Sequence, residues 1–215
     1  MNKKTHIFIL LLFLIISSCS TKKKTFFHRK YHDITAKYNG YFNGAENLKY
    51  GVSKLEKSNN DDYSKLLSVF KHNNITSSSS HHAYMDKSIK KASIVIQNHS
   101  INIRNKEYCK WIDDSYFLVA KSYYFKGQFL ESKRTFEYII KKWKKTYLAY
   151  ESELWLAKCN IALGNLNVSE SILQGLQSNP RFPERLTKDL HLVFADLYIK
   201  QGVYLNAVDE LRSAC

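Results

Sequence analysis

Apolar residues recur three and four positions apart along most of this chain, the period of a helix that buries one face. Proline occurs twice, at Pro180 and Pro183, and glycine seven times, so little breaks the pattern. The periodicity predicts an all-α protein. Residues 33–70 read as an N-terminal helical hairpin, and a Ser-rich loop with His81 and His82 near 77–82 separates it from the rest of the chain. A further helix is expected over about 84–99, carrying Ile89, Ala92, Ile94, Val95 and Ile96. Asn98 to Lys110 reads as a connecting segment.

From residue 111 the chain repeats itself. Gly127, Gly164 and Gly202 are spaced 37 and 38 residues apart. Seven residues before each stands an alanine (Ala120, Ala157, Ala195), and two after each a bulky apolar group (Phe129, Leu166, Tyr204). Nine residues after each comes another, Phe136, Leu173 and Leu211. Small residues where helices meet, glycine at the turn and large residues filling the gaps are the grammar of tetratricopeptide-like repeats. The period exceeds the usual length of about 34, and the small residue five after the glycine is Ser132, Ser169 or Ala207. The third repeat stops at Cys215 inside its second helix. Because such arrays need a polar cap, the chain reads as part of a longer one. In a solenoid of this kind the first helix of each pair lines the concave groove. By register that places Phe117, Lys121 and Tyr124, then Leu154 and Lys158, then Leu192, Asp196 and Lys200 on a surface suited to a protein or peptide partner.

The one unbroken apolar run, Ile7 to Ile16, is about half the length of about twenty residues that spans a bilayer. Lys3 and Lys4 precede it and Ser17 and Ser18 come after, the order of a secretory signal peptide. Ile16-Ser17-Ser18-Cys19 resembles a bacterial lipobox, in which the thiol accepts diacylglycerol and becomes the first mature residue. Cys19 is therefore expected to be a lipid anchor, with several acyl chains giving near-permanent membrane attachment. Lys22, Lys23, Lys24, Arg29 and Lys30 would add electrostatic hold at anionic head groups. The expected organisation is a signal peptide over 1–18, a basic tether over 19–32, a helical region over 33–110 and repeats over 111–215.

A net charge of +14 would point to nucleic acid in a cytosolic protein; the export signal removes that partner. Cys109, Cys159 and Cys215 lack Cys-x-x-Cys spacing and read as small apolar residues, with a Cys109–Cys159 disulfide as the alternative. No phosphate loop, nucleophile elbow or zinc-protease motif is present, so no catalytic residue, cofactor or metal site is expected. His28 and His32 share a helix spacing without a convincing third ligand. His81 and His82 read as solvated loop residues, and Asp61-Asp62 and Asp113-Asp114-Ser115 as helix caps. The Lys141–Lys145 cluster fits a helix C-terminus.

Two stretches carry a closer resemblance. One is His32 to Gly51, with Tyr38-Asn39-Gly40-Tyr41-Phe42-Asn43 at its centre, continuing to Tyr63. The other is Lys90 to Ser100, followed by Trp111-Ile112-Asp113-Asp114-Ser115-Tyr116 and on to Phe125. Together with the lipobox they resemble the N-terminal part of the SprE/PorW lipoproteins of Bacteroidota, tetratricopeptide-repeat proteins of the type IX secretion and gliding-motility machinery. The resemblance covers most of residues 19–145. It implies a non-catalytic scaffold, anchored to the outer membrane through Cys19 and facing the periplasm, with protein components of that machinery as partners. The alternatives are a SusD-like glycan-binding lipoprotein and a BamD-like adaptor for outer-membrane assembly.

Overall fold

The computed structural model describes residues 25–71 and 79–215. The signal segment 1–18, Cys19 and the tether as far as Lys24 lie outside the described residues, as do Ser77 and Ser78 of the Ser-rich loop. The protein is all-α: the described residues form a consecutive stack of helices with one two-residue-deep β-hairpin among them. Among the described residues, no helix is long and apolar enough to cross a membrane.

The first helical run comprises α1 (Phe26–Thr35), a π-helical segment (Ala36–Tyr41) and α2 (Phe42–Ser58). Its partner is α3 (His82–His99). The expected hairpin within 33–70 is replaced by this longer pairing, and 59–71 holds no α-helix. The reason is a face of small residues. A Cβ on Gly40 would collide with Val95, and one on Gly51 would lie 2.5 Å from Met85 Cε. Gly40 and Gly51 thus let the two helical runs approach closely because they lack side chains, and a Cβ on Gly44 would stand 2.9 Å from a methyl of Leu118, in the helix that follows α3. Leu48, Leu55, Met85 and Ala92 fill the rest of the seam.

The connector after α3 is more ordered than its sequence indicates. β1 (Asn102–Ile103) pairs antiparallel with β2 (Lys106–Glu107) across Arg104 and Asn105, both at positive φ as a tight primed turn requires. Glu107 organises it from within. Its carboxylate accepts from the backbone of Ile101 at 2.8 Å, of Tyr108 and Cys109 at 3.0 Å each, and from the Ser100 hydroxyl at 2.6 Å.

Three helical hairpins complete the stack: α4 (Ile112–Phe125) with α5 (Phe129–Lys142), α6 (Tyr147–Ala162) with α7 (Leu166–Gln177), and α8 (Thr187–Gln201) with α9 (Tyr204–Ser213). The glycines of the repeat signature sit at the three turns with φ of 79°, 78° and 79°. Each turn closes identically, the residue after the glycine donating to a carbonyl five positions back: Gln128 to Tyr123, Asn165 to Asn160, Val203 to Tyr198. The small residue five after the glycine also has a structural role. Ser132 donates to the Ala120 carbonyl at 2.8 Å and Ser169 to the Ala157 carbonyl at 3.1 Å, bonding the two helices of one repeat at their closest approach. Ala207 fills the equivalent place with no hydroxyl and is buried.

Several local expectations need correction. His81 is fully buried, and its Nε2 lies 2.8 Å from the Phe125 carbonyl, so it joins α3 to α4 rather than meeting solvent. Asp61 and Asp62 lie in a turn, where Asp62 accepts from the Ser64 amide, and not before a helix. Asp113 and Asp114 are inside the first turn of α4, with Trp111 at the cap position and Asp113 accepting from the Asp114 amide. Of the cysteines, Cys109 and Cys159 are buried free thiols as expected, in different clusters and each pushed up to about 12, chiefly by burial, whereas Cys215 is exposed and not the buried apolar residue expected.

Candidate functional site

The repeat register brings the first helices α4, α6 and α8 to one face, and their equivalent positions form rows. At 37- and 38-residue spacing, Asp114, Glu151 and Asp189 make an acidic row. One turn along come Leu118, Trp155 and Val193, and a further turn gives Lys121, Lys158 and Asp196. These side chains act on one another across the groove. Asp114 is raised to about 6 by burial first, then by Asp113 and Glu151. Glu151 is raised by burial, and Lys121 partly offsets this.

Trp155 is the floor. Lys121 Nζ lies 4.9 Å from the centre of its ring and Lys158 Nζ 4.2 Å. Behind it, Phe136 stacks at 6.0 Å and Tyr124 meets it edge-on at 5.2 Å, so the ring has little room to turn. Lys158 is 7 % exposed, and its ammonium also stands 3.7 Å from the centre of the Phe70 ring. Burial lowers Lys158 to about 8, against the opposing pull of Asp196. Two aromatic faces and one carboxylate thus replace the water that a buried ammonium gives up.

The residues expected to line the groove are divided by the structure. Lys121, Leu154 and Lys158 border a cavity of about 240 Å³, together with Glu151, Trp155 and Asp189. Tyr124, Lys158, Asp196 and Lys200 border an adjoining cavity of about 480 Å³. Phe117 and Lys121 reach a third of about the same size, shared with Tyr41 and Val52 of the first helical run. Leu192 is half-buried and lines none of these cavities. Tyr124 and Asp196, each 3 % exposed, belong to the floor and not to the presented surface. Glu151, Trp155, Asp189 and Phe70 were not anticipated. The first three could have been found one or two helical turns from Lys158 and its equivalents; Phe70 lies outside the repeats and carries no such signal.

Away from the groove, His32 Nδ1 lies 2.9 Å from His99 Nδ1, so one ring donates to the other. His28 packs edge-on against His32 at 4.8 Å. Burial lowers both His32 and His99, which keeps neutral rings in this seam between α1 and α3. Among the described residues, no group of three or more His, Cys, Asp or Glu is placed to hold a metal ion. The lysines of 141–145 surround the C-terminus of α5, where Lys142 lies over Trp143 at 4.9 Å and donates to the Tyr138 hydroxyl at 3.0 Å.

No protein-family model matches the chain, and no curated protein matches it.

Proposed function

We propose that this protein is a non-catalytic scaffold of type IX protein secretion and gliding motility, held at the outer membrane by lipid on Cys19 with its repeats in the periplasm. The observation that carries the adaptor part of this reading is the groove itself. Three helices present a rigid tryptophan, apolar neighbours and charges of both signs in register, the composition of a surface that recognises another protein by shape and charge together. The placement in secretion rests on the resemblance of the Tyr38–Asn43 and Trp111–Tyr116 segments, and membrane attachment rests on the lipobox.

The test is proteomics of the culture medium and the outer membrane after deletion of the full gene in the native host. The expected outcome is loss of secreted proteins that carry type IX sorting domains, with barrel proteins unchanged. Normal secretion overturns the role. General depletion of barrel proteins would replace it with outer-membrane assembly, and digestion of the protein by protease added to intact cells would place it on the outer surface.

A further inference from the structure

Among the described residues, the segment after α2 reaches the groove at Phe70. Residues 59–71 leave the helical stack, and Tyr63 and Leu66 are 83 % and 63 % exposed. Phe70 instead joins the cluster of Leu154, Val193 and Leu197 between the repeats. The two ends of the segment are tied to each other: the Asn59 side-chain amide donates to the Lys71 carbonyl, and Lys71 Nζ stands 3.6 Å from Asp61. A short tied loop therefore delivers one ring to a site built from α4, α6 and α8.

The seat has more room than Phe70 takes. The cavity of about 240 Å³ beside the ring is bordered by the carboxylates of Glu151 and Asp189, with Lys121 and Lys158 along its floor. An aromatic ring there presents its face to the Lys158 ammonium, a contact that gains strength in a desolvated site. A cation following the ring would stand near two carboxylates. Lys71 follows Phe70 in sequence but is engaged by Asp61, so the loop supplies the ring without supplying the charge.

We infer that the groove is a docking site for a partner peptide bearing an aromatic residue followed by a basic one, and that Phe70 is the chain's own occupant of the aromatic seat. This rests on the groove being the partner-binding face, as proposed above. A partner with the better-matched pair displaces Phe70: its ring takes the place against Lys158 and Trp155, and its cation is drawn to Glu151 and Asp189. The carboxylates select against an acidic residue at that position by like-charge repulsion.

The experiment uses the full chain and a fluorescein-labelled, C-terminally amidated synthetic peptide of residues 59–71 carrying Asp61→Asn, which releases Lys71 from its carboxylate, read by fluorescence anisotropy. Phe70→Ala in the chain vacates the seat and is expected to bind the peptide at least about tenfold more tightly than wild type. The same peptide with its own Phe70→Ala is expected to lose that binding, and with Lys71→Glu to weaken by several fold. Phe70→Leu in the chain keeps apolar packing without an aromatic ring. It serves as the second variant should Phe70→Ala lose its helical circular dichroism, and it is expected to gain affinity in the same direction. Equal affinity of variants and wild type, binding indifferent to the peptide's ring, or no binding to either variant overturns the inference. The assay reads the groove alone. An unaltered secretome would remove the secretion role without moving these affinities, and absent peptide binding would leave a secretion defect unexplained by this seat.

Discussion

At the scale of residues, the groove carries charges that the folded chain holds at a cost. Asp114 has a carboxyl raised from 3.8 to about 6 by burial, Asp113 and Glu151. The folded state therefore binds that proton more tightly than the unfolded state, and stability falls as pH rises between these values. The penalty is complete above pH 6 and absent below 3.8. Asp114→Asn removes it and is expected to raise the melting temperature at pH 7.5 by about 2–4 °C, for a screened gain of about 1 kcal/mol. At pH 3.5 the gain should vanish, and thermal melts followed by circular dichroism at the two pH values check this.

At the scale of elements, two kinds of glycine make opposite demands. Gly164 has φ of +78° and a Cβ added there would meet nothing within 4 Å, so its constraint is purely the backbone conformation. Gly40 lies in the π-helical segment, where an added Cβ would strike Val95, so its constraint is purely contact. Gly164→Ala is expected to cost about 1–2 kcal/mol, the left-handed penalty for a residue with a Cβ. No change in a neighbouring side chain should relieve it. Gly40→Ala is expected to cost about 1–3 kcal/mol through overpacking, and the double variant with Val95→Ala should recover part of that loss. Urea unfolding of the three variants separates the two mechanisms. The turn glycines were legible in the sequence because the αL conformation is a local requirement repeated every 37 or 38 residues. The packing glycines were read as part of a resemblance and not as a contact face, because nothing near residue 40 names Val95 as its partner.

At the scale of the whole molecule, stability is distributed along a stack in which each helical hairpin rests on its neighbours. A lesion in one repeat should therefore act locally before it acts globally. Gly202→Val at the α8–α9 turn, where φ is +79°, is expected to accelerate amide exchange across α8 and α9 while leaving α2, α3 and α4 protected. Hydrogen-exchange mass spectrometry checks this, and uniform loss of protection would mean a single cooperative unit instead. The third repeat is the natural place for such a lesion to be felt. Leu211 on α9 is only half-buried, whereas its register equivalents Phe136 on α5 and Leu173 on α7 are fully buried.

What the sequence determined by itself was set by short-range physics. Helical periodicity identified the all-α class, and the spacing of Gly127, Gly164 and Gly202 with their alanines located three turns and the helices on either side. The same register placed Lys121 and Lys158 on one face, since positions one repeat apart occupy equivalent sites in any stacked array. Only the tertiary structure decided what depends on residues distant in the chain. It paired the first helical run with α3 across Gly40, Gly44 and Gly51, and it buried His81 against the Phe125 carbonyl. It also brought Phe70, from a loop with no helical period, to 3.7 Å from the Lys158 ammonium. A local pattern reports which face a residue occupies. Which residue comes to meet that face is settled by the closure of long loops and the packing they permit.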